Sequence, residues 1–214
     1  MSTSVNWKYI NVFSVPIQKT KLELNIDSLI KFCYEIKRKD EQGITLSNMG
    51  GWQSPNIANE THTEFIELKN KIEDAANIYH RDLKFKKIYK QKIDNIWVNI
   101  NQKGHANFPH RHPHTMFSGV FYLTNTHSTP ISFIHPYRDI NTHYWDMSII
   151  EEKNELNSAE GSIPQFPNEL LIFPAWVEHK VHTHRENTDR ITISFNTNCM
   201  ETEQRTAKLY GDNT

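Results

Sequence analysis

The sequence predicts a mainly β protein with flanking helices, its C-terminal half folding as a barrel or sandwich. Three observations carry this. From residue 83 onward apolar residues recur with period two, in short runs separated by turn residues. Before that point two stretches recur at helical spacing. The helical pattern does not return between the later strands, which argues against a parallel sheet built from strand–helix–strand units. At 214 residues the chain can bury one substantial core, and a single domain over 1–214 is expected.

Residues 8–23 alternate well enough for a strand or two, with Pro16 keeping the first from a central position. Asn25 can cap a helix whose apolar stripe is Ile26, Leu29, Ile30, Cys33 and Ile36, ending at Lys37-Arg38-Lys39-Asp40. The loop Ser47-Asn48-Met49-Gly50-Gly51-Trp52-Gln53-Ser54 should pack back on the body, since an exposed Trp52 is costly. Its alternative role is a lip of an active-site mouth. Thr61-His62-Thr63-Glu64 has capping-box spacing, and Phe65, Leu68, Ile72 and Tyr79 trace the inner face of a second helix. His62 and His80, at its two ends, read as surface residues.

Ile96, Val98 and Ile100 then alternate with Trp97, Asn99 and Asn101, so a strand presents two amides on one face. A buried amide without partners costs about 1–3 kcal/mol, so that face is either wet or binds something. Gln102-Lys103-Gly104 is a turn. After the Ser118-Gly119 step, Val120 to Leu123 reads as a strand that forms a hairpin with Ile131 to Ile134 through residues 124–130. Residues 136–166 lack a clear period, carry Tyr144 and Trp145, and are long enough for a lid. Glu169 to Pro174, Trp176 to Val181 and Arg190 to Asn196 are the remaining strands, and the polar tail 199–214 should end loosely.

Composition removes several function classes. A formal net charge of −1 gives no electrostatic case for nucleic acid or membrane, and Lys84 to Lys90 is a local basic face of the kind usually solvated. Cys33 and Cys199 suggest neither a disulfide framework nor a cysteine metal site, which fits a reducing compartment. No signal sequence or membrane span is apparent, so a cytoplasmic location is expected. Spacings of structural zinc sites, zincins, P-loops and nucleophile elbows are all missing.

Histidine is the anomaly: ten of the 12 follow residue 100. His110, His112 and His114 alternate, so on an extended chain their imidazoles would share one side. A second group, His179, His182 and His184, begins a later strand, and a sheet folded on itself could bring both groups to one mouth. From the residues alone, a metal site and a hydrated strand end both stay open.

Several segments resemble the double-stranded β-helix oxygenases that depend on Fe(II) and 2-oxoglutarate, and more narrowly a phage and bacterial family related to prolyl 4-hydroxylases. They are Ser47-Asn48-x-Gly50-Gly51-Trp52-Gln53-Ser54, Trp97-Val98-Asn99, His110-x-His112-Pro113, Ser118-Gly119-Val120-Phe121-Tyr122-Leu123, Phe173-Pro174-Ala175-Trp176 with His179-x-Val181, and Arg190 to Asn196. The resemblance implies a jelly-roll or cupin-like core over 83–198, with the insertion 136–166, supported by residues 1–82. It implies His110, His112 and His179 as the metal and catalytic residues. Arg190, eleven positions after His179, would bind the 5-carboxylate of 2-oxoglutarate, with Thr192, Asn99, Asn101 and Tyr122 lining the co-substrate site. Fe(II), 2-oxoglutarate and O2 would then hydroxylate an unactivated C–H bond of a protein, peptide or small molecule, releasing succinate and CO2.

The departure is that His112 stands where the superfamily has a carboxylate. His112 with His114 is an alternative registry, and His135 or Asp139 an alternative ligand. Competing readings are a cupin-like module binding zinc, nickel or nothing, and a three-histidine iron dioxygenase that ignores 2-oxoglutarate. The primary substrate and a homodimeric assembly are left open.

Overall fold

The computed structural model describes residues 8–124, 128–145 and 147–202, apart from the side chains of residues 141 and 147. Two antiparallel sheets face each other. The six-stranded sheet has the order β1 (Gln18–Lys21), β9 (Glu169–Pro174), β6 (Phe117–Tyr122), β11 (Arg190–Glu201), β4 (Tyr89–Asn101), β3 (Trp52–Gln53). The five-stranded sheet has the order β2 (Asn48–Met49), β5 (Ala106–His110), β10 (His179–Val181), β7 (Ile131–Ile134), β8 (Glu160–Ile163). This is the double-stranded β-helix expected from the resemblance.

Period-two alternation assigns the two faces of the large sheet. Ile96, Val98, Ile100, Phe121, Ile193 and Phe195 face the helices α1 (Ile26–Lys39) and α2 (Thr63–Asp82) and form the main core with Leu29, Phe65, Leu68 and Ile72. The opposite face looks at the small sheet, where Val120, Tyr122, Leu171 and Phe173 pack with Ile131, Phe133 and Val177. Apolar and polar side chains together line the space between the sheets, Val120, Ile131, Phe173 and Val181 beside Asn99, Asn107, Arg190 and Thr192.

Asn25 caps α1 as expected, its Oδ1 accepting from Ser28 N at 3.1 Å. The capping box at α2 does not form: His62 occupies the cap position and makes no side-chain cap bond. His62 is instead half-buried, with its ring 4.9 Å from that of Phe32. His80 is buried, not a surface residue, because its ring bonds to the Lys86 carbonyl and to Gln91. Of residues 8–23 only Gln18–Lys21 form a strand; Tyr9, Ile10, Val12 and Phe13 are exposed outside any element. Trp52 does pack back, its Nε1 donating to the Asp40 carbonyl at 2.8 Å.

Strands β6 and β7 do not form a hairpin. They belong to different sheets, so the chain crosses the sandwich between them. Residues 136–166 contain a short helix, α3 (Arg138–Tyr144), and end in β8, which pairs with β7. Strand β11 runs on to Glu201, so the start of the expected loose tail is paired with β4; residues 203–214 lie outside the described residues. Among the described residues no helix is long and apolar enough to cross a membrane.

Candidate active site and metal centre

The site begins with a register. His179 on β10 is the cross-strand partner of His110 on β5, which places their rings 4.3 Å apart. Beyond His110 the chain leaves the strand, and His112 N donates to the Ala175 carbonyl at 3.1 Å. That bond brings the His112 ring beside His179, with Nε2 to Nε2 at 3.4 Å. His110 therefore ends a strand instead of starting one. The alternation expected across His110, His112 and His114 breaks at His114, whose backbone is left-handed (φ 62°) and whose side chain is exposed.

One ligand nitrogen from each of His110, His112 and His179 lies within 4.8 Å of the others. His110 Nδ1 lies 2.7 Å from the Phe108 carbonyl oxygen and His179 Nδ1 3.0 Å from that of Val177. A carbonyl can only accept, so both rings carry their proton on Nδ1 and present Nε2 as a lone pair. Burial holds all three imidazoles below their ordinary pKa, His112 at about 4 and His179 at about 3. The neighbouring rings push His112 and His179 further down. At neutral pH the cluster is thus three uncharged donors, and lone pairs 3.4 Å apart need a proton or a cation between them. A divalent transition metal that favours imidazole fits this set.

The outer shell is also built. Arg111, between the two histidines of the first group, pairs with Glu178, which precedes His179, at 2.8 Å. This ties the two ligand-bearing segments together on the outside. His182 and His184 do not join the cluster. His182 bonds Ser132 and Glu160, and His184 is buried between Thr129 and the Thr188 carbonyl. His135 accepts from Tyr137 N, and Asp139 pairs with Arg138.

The cluster opens into a cavity of about 750 Å³ between the sheets. At its inner end Arg190 is 2% exposed. Its guanidinium lies 5.7 Å from the centroid of the Tyr122 ring. Burial lowers the arginine's pKa and raises the phenol's, and each group's neighbour opposes the shift. Yet neither Arg190 Nε nor the Tyr122 hydroxyl completes a hydrogen bond, and among the described residues no acid pairs with Arg190. A buried guanidinium without an anion is costly, so its surroundings fit a ligand that carries a carboxylate.

Thr192 pairs across the sheet with both Asn99 and Tyr122, so these three stand in one row beside Arg190. Asn99 Nδ2 donates to Ser194 Oγ at 3.0 Å and more weakly to Thr192 Oγ1 at 3.5 Å. Asn101 shares their face but stands beyond the cavity lining, its amide donating to Asn107 Oδ1 at 3.4 Å. Gly51 (φ 75°) permits this, because a Cβ there would lie 2.6 Å from Asn101 Oδ1.

Other cavity residues were not anticipated from the sequence. Ser194 and Asn196 continue the inward face of β11, and Asn107 lines the mouth near His110; Ser47 beside it belongs to the loop that the sequence offered as a lip of the mouth. The period-two rule that pairs Arg190 with Thr192 reaches Ser194 and Asn196 two and four residues further on. Trp97, from the motif Trp97-Val98-Asn99, lies with its ring 5.9 Å from that of His112.

Comparison with known proteins agrees with this geometry. Residues 95–196 match the family model described as putative 2OG-Fe(II) oxygenase. No curated protein sequence matches the chain. Among solved structures it resembles a Pseudomonas putida prolyl-4-hydroxylase (12% identity, TM-score 0.57, covering 86% of this chain and 92% of that one). It also resembles SnoK, a non-heme α-ketoglutarate-dependent carbocyclase from nogalamycin biosynthesis (9%, 0.62, 94% and 87%). A third is HygX from Streptomyces hygroscopicus, solved with nickel and 2-oxoglutarate (10%, 0.58, 86% and 82%). At these identities the likeness is one of fold. Residues 95–196, the stretch that matches the putative 2OG-Fe(II) oxygenase model, thus supply all three clustered histidines and Arg190, on a fold shared with solved 2-oxoglutarate-dependent oxygenases.

Proposed function

We propose that the protein is an Fe(II)- and 2-oxoglutarate-dependent oxygenase that uses O2 to hydroxylate an unactivated C–H bond of its primary substrate. The single observation that carries this is Arg190, buried and without an acidic partner among the described residues, on the wall of the cavity that holds the three histidines. His110, His112 and His179 would hold the iron. Bound iron would supply the redox chemistry that couples decarboxylation of 2-oxoglutarate to succinate with oxygen insertion into the substrate.

The chain's own residues bind and orient. Arg190 presents two parallel N–H donors to the 5-carboxylate. Thr192, already accepting weakly from Asn99, keeps its hydroxyl proton for the same carboxylate. The Tyr122 hydroxyl, buried and without a partner, is a further donor at that end. Asn99 holds the row in place, and Asn101 acts through the loop at Gly51. Apolar Val120, Ile131 and Phe173 exclude water around the reacting end. Three neutral imidazoles leave the metal one positive charge richer than a set containing a carboxylate, which favours the dianionic co-substrate.

The test is anaerobic loading with Fe(II) followed by 2-oxoglutarate and O2, with succinate measured. Turnover is expected to require iron and to vanish in His179→Ala and Arg190→Ala. Turnover that survives both changes overturns the proposal. The all-histidine ligand set favours one second reading, an iron dioxygenase that needs no 2-oxoacid. That reading holds if iron binds tightly while 2-oxoglutarate leaves the thermal stability of the iron-loaded protein unchanged.

A further inference from the structure

A second group of metal-binding atoms lies outside the cavity lining, where α2 ends, β4 and β6 begin, and β11 finishes. His80 is 4% exposed, and its Nε2 lies 3.1 Å from the Lys86 carbonyl oxygen. That contact puts the ring proton on Nε2 and leaves Nδ1 as a lone pair. Cys199 Sγ lies 3.9 Å from this Nδ1, and Met116 Sδ lies 3.1 Å from Cys199 Sγ. All three atoms surround one point, occupied by the amide nitrogen of Gln91. Gln91 Nε2 stands 3.2 Å from Nδ1, 3.0 Å from Sγ and 3.1 Å from Sδ.

Gln91 is fully buried, and its Oε1 is committed to the Thr197 hydroxyl at 2.8 Å. The two amide hydrogens of Gln91 can answer His80 Nδ1 and Cys199 Sγ, and the Cys199 thiol donates to Met116 Sδ at 3.1 Å, so loss of the thiol proton frees both sulfurs to bind an ion. The 3.9 Å between His80 Nδ1 and Cys199 Sγ suits two donors sharing one ion at about 2.1–2.3 Å, and the flexible Met116 side chain need draw its sulfur back from the 3.1 Å contact by only roughly half an ångström to join them. Imidazole, thiolate and thioether together are soft ligands, which select Cu(I) over Fe(II) or Mg(II). Cys199 is exposed and gives the ion a way in, whereas Cys33 is fully buried.

We propose that His80, Met116 and Cys199 form a Cu(I)-binding site separate from the histidine cluster of the cavity. On binding, the thiol of Cys199 loses its proton to solvent and the thiolate sulfur bonds the ion; no electron is transferred. The Gln91 nitrogen turns aside while Oε1 keeps its bond from Thr197.

The test is an anaerobic competition for Cu(I) between the full-length protein and bicinchoninate. Cys199→Ser and Met116→Leu are compared with wild type, and any Cu(I) held by the cavity histidines is common to all three. Wild type should retain one equivalent more than Cys199→Ser, and Met116→Leu should bind that equivalent roughly tenfold or more weakly. A second readout uses wild type alone: Cu(I) should slow alkylation of Cys199 by iodoacetamide at least tenfold, read by peptide mass. Equal Cu(I) retention by wild type and Cys199→Ser, or an alkylation rate indifferent to Cu(I), overturns the proposal. Neither result bears on the role of Arg190.

Discussion

Replacing Arg190 by methionine should separate stability from binding. In the ligand-free protein the guanidinium is 2% exposed, lacks an acidic partner among the described residues and has an unbonded Nε. Its charge is therefore a burden on the fold, offset only in part by the Tyr122 ring. An unbranched apolar side chain of similar reach removes that burden. The ligand-free variant should melt at the same temperature as wild type or higher. Binding should move the other way. At 2-oxoglutarate concentrations about 100 times the wild-type Kd, ligand stabilises the fold by about 2.7 kcal/mol. For a domain of this size that raises Tm by roughly 5–11 °C. Loss of a buried charge-assisted pair costs about 3 kcal/mol, or about 100-fold in Kd. At the same ligand concentration the variant would then gain about 0.4 kcal/mol, a shift of roughly 1–2 °C. The assay is thermal denaturation of protein loaded anaerobically with Fe(II), with and without 2-oxoglutarate. A variant that keeps the wild-type shift, or whose ligand-free Tm drops by several degrees, refutes the reasoning: the arginine would then serve the fold and not a ligand.

Two further outcomes follow from the structure. Gly119 on β6 lies between β9 and β11, where an added Cβ would sit 2.5 Å from the Leu171 carbonyl oxygen and collide with the Phe195 ring. Gly119→Ala should destabilise the protein by about 1–3 kcal/mol, seen as a lower midpoint in urea without a change in slope. Metal-free protein should lose stability as pH falls from about 6.5 toward 4. Burial holds His112 at about 4 and His179 at about 3, so over that range the unfolded chain binds protons that the fold refuses. Thermal melts across pH should show this slope, flattened in His112→Asn. An unchanged slope in that variant would count against neutral imidazoles in the cluster.

Much of the fold was legible because burial writes itself into spacing. The stripe from Ile26 to Ile36 gave α1, and the alternation of Ile96, Val98 and Ile100 against Trp97 and Asn99 separated core from cavity. The ends of β9 and the start of β11 were equally plain. Pairing was not legible, since period two shows that a strand exists but not which sheet it joins. Strands β6 and β7, adjacent in sequence, therefore read as a hairpin when they lie in opposite sheets. From spacing alone the histidines read as two groups of three, and the family resemblance narrowed them to His110, His112 and His179, the three that the structure brings together. The exclusion of His114 depends on a single left-handed backbone angle, which no residue type at that position announces. His80 misled for a related reason: a polar ring at a helix end is usually wet, and its partners Lys86 and Gln91 come from the chain that follows.

The bond of His112 to the Ala175 carbonyl and the register of His110 with His179 also matter for how the chain assembles. His112 and His179 are 67 residues apart, so any ion they share acts as a removable cross-link closing a long loop. A cross-link between segments so distant can form only after the small sheet has its pairing right, because a one-residue slip of β10 would turn His179 to the other face. Metal capture is then a check on strand register. Chains that have mispaired β5 and β10 would be the ones that stay metal-free and open to proteolysis.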